Sequence, residues 1–177
     1  MKLVVRKINK KSQPCRSPDG DEDGVKCDEY DSRDENDKWQ ERAIDRIQNQ
    51  FSLVSQQQKH DKTKVIVLSR TNNTLKNLEK AYAKKYGSTR GIKFLTIHSA
   101  KGLQGEVCFI FDDSKALTGH VLRNEIYKQV ECFHQSYDQA MVDESYRLAY
   151  VAITRGVKRV FWTAPKGSDG AFARFRK

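Results

Sequence analysis

The stretch FLTIHSAKGLQGEVCFIF, residues 94–111, sets a histidine, two hydroxyls, a lysine and two glycines between two apolar runs. Such residues suit phosphate: glycine lets backbone N–H groups come close, lysine brings charge, hydroxyls and imidazole donate hydrogen bonds. The order SAKGLQGE is not that of a nucleotide P-loop, in which the lysine directly precedes Ser or Thr. Lys101 instead precedes Gly102, and PKGSDG near the C-terminus also has the wrong order. The sequence therefore offers no primary ATP cradle. Lys101, Gly102 and Gly105, with Thr96, His98 and Ser99, still make a set suited to a phosphodiester backbone.

Two arginines add to this chemistry. Arg70 follows the apolar run VIVLS, and Arg155 follows the helical pattern that ends in AIT. A guanidinium is permanently charged, and its planar fork matches phosphate oxygens. Both are expected on one edge of a sheet, beyond the strand carboxyl ends, reaching towards a site that another domain completes.

The elements that must hold these groups are legible from periodicity. Residues 65–68 (VIVL), 92–97 and 107–111 are apolar on both faces, the pattern of strands in a covered parallel sheet. Leu3–Ile8, Val25–Tyr30 and Val160–Thr163 read as further strands. Trp39, Ala43, Ile47, Phe51 and Val54 mark a helix that Asp34 or Asn36 can cap. Leu75, Leu78 and Tyr82 mark a second helix, opened by Asn72 or Asn73 and closed by Gly87. Leu122, Ile126, Val130 and Phe133 mark a third, and Tyr137 through Thr154 a fourth. Strands alternating with helices predict an α/β fold, a parallel sheet flanked by helix layers. Residues 1–35 are read as an N-terminal strand and acidic flexible loop, and residues 36–177 as the domain proper.

Charge points to a polyanionic partner. The 177 residues carry a net +10, with mean hydropathy −0.78. Residues 19–37 hold ten acids against two basic residues, so the rest of the chain carries +18. A basic body of that size suits nucleic acid, whereas the acidic block reads as a solvated loop. Four cysteines form no CxxC pair, and free thiols fit a reducing compartment. Cys108 reads as a small core residue, and Cys132, His134 and His120 as a weak metal-ligand signal. No apolar run is long enough to cross a bilayer, so no membrane partner is expected and the location is read as cytoplasmic.

VIVLSRTNNTL, FLTIHSAKGLQGEVCFIF and DESYRLAYVAITRG resemble, in the right order, motifs IV, V and VI of UvrD/Rep-family superfamily 1 helicases. In that family two RecA-like domains clamp ATP between them while single-stranded DNA crosses both. The resemblance implies the second, C-terminal RecA-like motor domain, with ATP and Mg held mainly by an N-terminal RecA-like domain. It implies that Arg70 and Arg155 contact the γ-phosphate as arginine fingers, and that Lys101, Gly102 and Gln104 face the nucleotide. Thr96, His98 and Ser99 are implied to touch the DNA backbone or to relay nucleotide state to it, Tyr150 to pack the last helix, and Glu144 with Arg147 to form a structural polar pair. Two positions depart from the family pattern: Gln104 stands where a ribose-binding glutamate is usual, and Gly156 where alanine is usual.

The leading expectation is the C-terminal motor domain of an ATP-dependent DNA helicase, inactive by itself. The alternative is a stand-alone nucleic-acid-binding or regulatory module derived from such a domain. The C-terminal GAFARFRK is read as a frayed end, with base stacking by Phe172 and Phe175 as the competing role.

Overall fold

Continuous β-branched runs can satisfy their backbone only beside other strands, and with both faces apolar they need cover on both sides. The computed structural model describes residues 24–31, 38–57, 64–112, 119–130 and 135–175. Five strands, β1 (Gly24–Tyr30), β2 (Val65–Ser69), β3 (Ile92–Thr96), β4 (Gly105–Phe111) and β5 (Gly156–Pro165), form one sheet in the order β1-β5-β4-β2-β3. Every neighbouring pair is parallel. Leu3–Ile8 and the proposed caps Asp34 and Asn36 lie outside the described residues.

Alternation along the strands divides the core in two. Val65, Val67, Val107, Phe109, Phe111 and Phe161 face helices α1 (Trp39–Gln57) and α2 (Asn72–Tyr86). Ile66, Leu68, Cys108, Ile110, Val160 and Trp162 face the other way, towards α4 (Tyr137–Ile153) and α5 (Ala171–Phe175). Each fully buried aliphatic or aromatic side chain contributes on the order of 1.5–3 kcal/mol of transfer free energy. The link from β3 to β4, residues 97–104, crosses β2 on the α4 side, and its Ile97 and Ala100 are buried there.

Helix ends follow local chemistry. Gly87 closes α2 at φ 82°, its N–H donating to the Ala83 carbonyl at 2.9 Å. Ser136 caps α4 by accepting from the Gln139 N–H at 3.2 Å.

Four sequence expectations change. The strand expected at Val25–Tyr30 is present as β1, but it is no part of a separate N-terminal loop: it pairs along its length with β5 and is the sheet's edge strand. Two acids of the acidic block are paired, Asp28 with Arg46 and Asp31 with Lys166. The C-terminal segment docks: Phe172 is fully buried, edge-on to Trp162 at 5.6 Å between ring centroids, and Arg174 lies over Tyr146. Tyr150 does not pack α4 but is 67% exposed, because the helix buries Leu148, Ala149 and Ala152 instead. Finally, α3 (Val121–Gln129) is amphipathic the other way round. It docks on Tyr137 and Asp138 through Arg123, Asn124 and Tyr127, leaving Val121, Leu122 and Ile126 exposed.

Candidate functional site

A parallel sheet has two chemically distinct edges. Strand-to-helix loops leave from the carboxyl ends, and helix-to-strand corners return at the amino ends. Arg70 follows β2 and lies at the carboxyl edge; Arg155 precedes β5 and lies at the amino edge. Register aligns Ser69, Phe111 and Thr163 at one level and Gly105 with Gly156 at the other. From Gly105 to Phe111, at about 3.3 Å per residue, the two levels are about 20 Å apart. The expectation that both guanidiniums share one edge therefore fails, and they do not converge on one phosphate.

At the amino edge Arg155 is anchored by neutral acceptors. Its Nε donates to the Val151 carbonyl at 2.9 Å, Nη1 to the Leu103 carbonyl at 3.1 Å and Nη2 to Thr154 Oγ1 at 3.0 Å. The Gly105 N–H in turn donates to the Arg155 carbonyl at 2.9 Å. Of the five guanidinium N–H donors, three are used in these contacts, so an oriented fork remains to meet an anion. Gln104 and Lys101 are exposed beside it, and Gly102, at φ 83°, has open space where a Cβ would stand.

The two other glycines here serve packing. A Cβ at Gly105 would lie 2.9 Å from Ile66 Cγ1, and one at Gly156 would lie 2.6 Å from Val160 Cγ2 and 2.7 Å from the Arg159 carbonyl oxygen. Gly156 in place of the usual alanine thus has a local steric cause. Cys108, behind this corner, is a core thiol whose pKa burial pushes up, the Arg155 charge opposing the shift.

At the carboxyl edge Arg70, half-buried, opens the loop between β2 and α2. The Ile97 N–H donates to the Ser69 carbonyl at 3.1 Å, which fastens the end of β3 beside it. Thr96 and Ser99 share a hydroxyl hydrogen bond at 2.8 Å, and the Ser99 N–H donates to Thr96 Oγ1 at 3.2 Å. His98 and Ser99 are exposed on this turn, and Ala100 closes it by donating to the Thr96 carbonyl at 3.0 Å. Arg70, Thr96, His98 and Ser99 are thus brought together. Gln104 and Arg155, with Lys101 and Gly102 on the adjoining crossover, form a separate group.

Asp112, which the sequence reading passed over, organises this edge. Its Oδ1 accepts from the Tyr30 hydroxyl at 2.9 Å, and its Oδ2 from Ser69 Oγ at 3.0 Å and Thr74 Oγ1 at 2.7 Å. Its carbonyl accepts from Trp162 Nε1 at 3.0 Å, and its φ of 67° is a left-handed conformation that aspartate tolerates better than most residues. One carboxylate so joins the ends of β1, β2 and β4 to the start of α2. Burial and the Asp112 charge raise the Tyr30 pKa, keeping that phenol a donor. An acid directly after an apolar strand was the available signal.

The donor sets also say what each edge could hold. The amino edge, with a guanidinium, an amide and a lysine, fits phosphate and hydroxyl groups. Among the described residues no group of three or more His, Cys, Asp or Glu could hold a metal ion. Cys132 and His134 lie outside the described residues, and His120 packs edge-on to Tyr137. Among the described residues no helix is long and apolar enough to cross a membrane.

A five-stranded parallel sheet between helix layers, carrying basic and hydroxyl groups on its rims, defines a covered α/β domain. A model of the UvrD-like helicase C-terminal domain matches residues 4–166, and the chain belongs to that family. No curated protein matches. Among solved structures, the C-terminal domain of a possible DNA helicase from Lactobacillus plantarun WCFS1 is similar at 14% identity, over 85% of this chain and 77% of that one, with a TM-score of 0.45.

Proposed function

We propose that this chain is the second motor domain of an ATP-dependent DNA helicase, its two sheet edges serving two ligands. The amino edge faces ATP held by an N-terminal RecA-like domain. Arg155 presents its remaining donors to the γ-phosphate, where charge develops during phosphoryl transfer. Gln104 accepts from or donates to a ribose hydroxyl, and Lys101 and Gly102 lie at the phosphate side. Magnesium, when bound, neutralises phosphate charge and belongs to the N-terminal domain, as does the P-loop.

The carboxyl edge faces single-stranded DNA, with Thr96, His98 and Ser99 donating to phosphates or sugars. Arg70 belongs to this edge and not to the nucleotide. The observation that carries the reading is the anchored Arg155: three bonds to neutral acceptors fix its direction without neutralising its charge. An arginine kept for stability alone would more often meet a carboxylate.

Reconstitution tests it. The isolated chain is expected to show no ATP hydrolysis, and addition of the N-terminal motor domain to restore DNA-stimulated hydrolysis. Hydrolysis by the chain alone, or none after reconstitution with a competent partner, would refute the proposal. The second outcome would favour a stand-alone binding module.

A further inference from the structure

Beyond the sheet edge, α2 carries a second basic feature. The helix buries Leu75, Leu78 and Tyr82 against β2 and β3, so at 100° per residue its outermost ridge is Asn73, Lys76, Lys80 and Lys84. All four are exposed. Among the described residues none of the three lysines has an ion-pair or hydrogen-bond partner. The adjacent Lys85, by contrast, turns to Asp45 at 2.6 Å, while Lys128 meets Glu125 and Lys158 meets Glu106. Like charges at i, i+4 spacing oppose the helix that carries them, and a polyanion laid along the ridge relieves that repulsion.

Position gives the ridge its meaning. α2 begins two residues after Arg70, so the ridge starts at the carboxyl edge and runs about 12 Å from Lys76 to Lys84, at 1.5 Å per residue. Its charges recur about every 6 Å along a straight line. We infer that the α2 ridge continues the single-strand path: nucleic acid leaving Arg70 and the Thr96–Ser99 turn lies along Lys76, Lys80 and Lys84, held through its phosphates and without base recognition. This rests on the reading of the carboxyl edge as the DNA edge.

The test compares oligothymidines of about 6 and about 15 nucleotides, lengths that bracket a short and an extended site, titrated against the full chain by fluorescence anisotropy over a series of salt concentrations. The triple variant Lys76→Gln/Lys80→Gln/Lys84→Gln should flatten the salt dependence on the longer strand by about two log units per log unit of salt, at about 0.7 per phosphate. It should leave the shorter strand's binding unchanged. All three side chains are exposed, and circular dichroism verifies that the fold is kept. An unaltered slope on the longer strand overturns the inference, as does a change seen only with duplex. Should Arg70→Ala leave the short strand's affinity untouched while the triple variant still flattens the long-strand slope, the edge reading falls and the ridge stands.

Discussion

The two rims of this sheet solve the problem of presenting polar groups in different ways. At the amino rim the Arg155 guanidinium is tied down by two backbone carbonyls and one hydroxyl, so its direction is set chiefly by the main chain of α4 and of the β3–β4 crossover. At the carboxyl rim a single anion gathers hydroxyls from three elements, so the loop bearing Arg70 is set by side chains. Main-chain anchors do not depend on neighbouring residue identity; side-chain anchors do. The carboxyl rim is therefore the more easily retuned by mutation, and the amino rim the more rigid.

Substitutions that separate the rims test this contrast. The largest effect is expected from Arg155→Ala in the helicase reconstituted with its N-terminal motor domain. If Arg155 acts as proposed, ATP turnover should fall on the order of 10³-fold or more, as when an arginine finger is removed, while nucleotide-free binding to single-stranded DNA holds. Equal losses in both assays would erase the division between the rims.

Arg70→Ala should do the reverse. Loss of one charge-assisted phosphate contact, about 1.5–3 kcal/mol, weakens DNA binding about 10- to 150-fold and leaves turnover at saturating DNA nearly intact. If instead turnover collapses and affinity holds, Arg70 serves the nucleotide after all.

Asp112→Ala sharpens the comparison within one rim. Three hydroxyls lose their acceptor and an alanine must adopt a positive φ, so urea unfolding should shift to lower concentration by an amount equivalent to about 3 kcal/mol, at unchanged slope. Asp112→Asn, which tolerates the same backbone, should recover part of it.

Much of the body was readable beforehand, because periodicity reports burial directly. The VIVL run, the Leu75–Leu78–Tyr82 stripe and the Gly87 stop all correspond to the structure. The rims were misread where connection order matters more than residue type. Arg155 follows a helix and precedes a strand, and in a parallel sheet such a corner returns at the amino end; placing it beside Arg70 overlooked that alternation. Pattern also cannot say which side of an amphipathic helix docks, which is why α3 came out reversed, whereas Tyr150 was placed by resemblance alone. Phe172 was hidden by its place in a short basic tail, although a core-facing Trp162 offered it a partner.

The β3–β4 crossover has one further consequence. It leaves the strand at Thr96, bonded into the Thr96–Ser99 turn, and carries near its other end Leu103, whose carbonyl holds the Arg155 fork. Ile97 and Ala100 wedge it against the sheet, so it has no slack to absorb motion. One short, tightly seated segment thus spans both rims, so an insertion or a glycine placed in it would disturb the arginine fork and the threonine turn together.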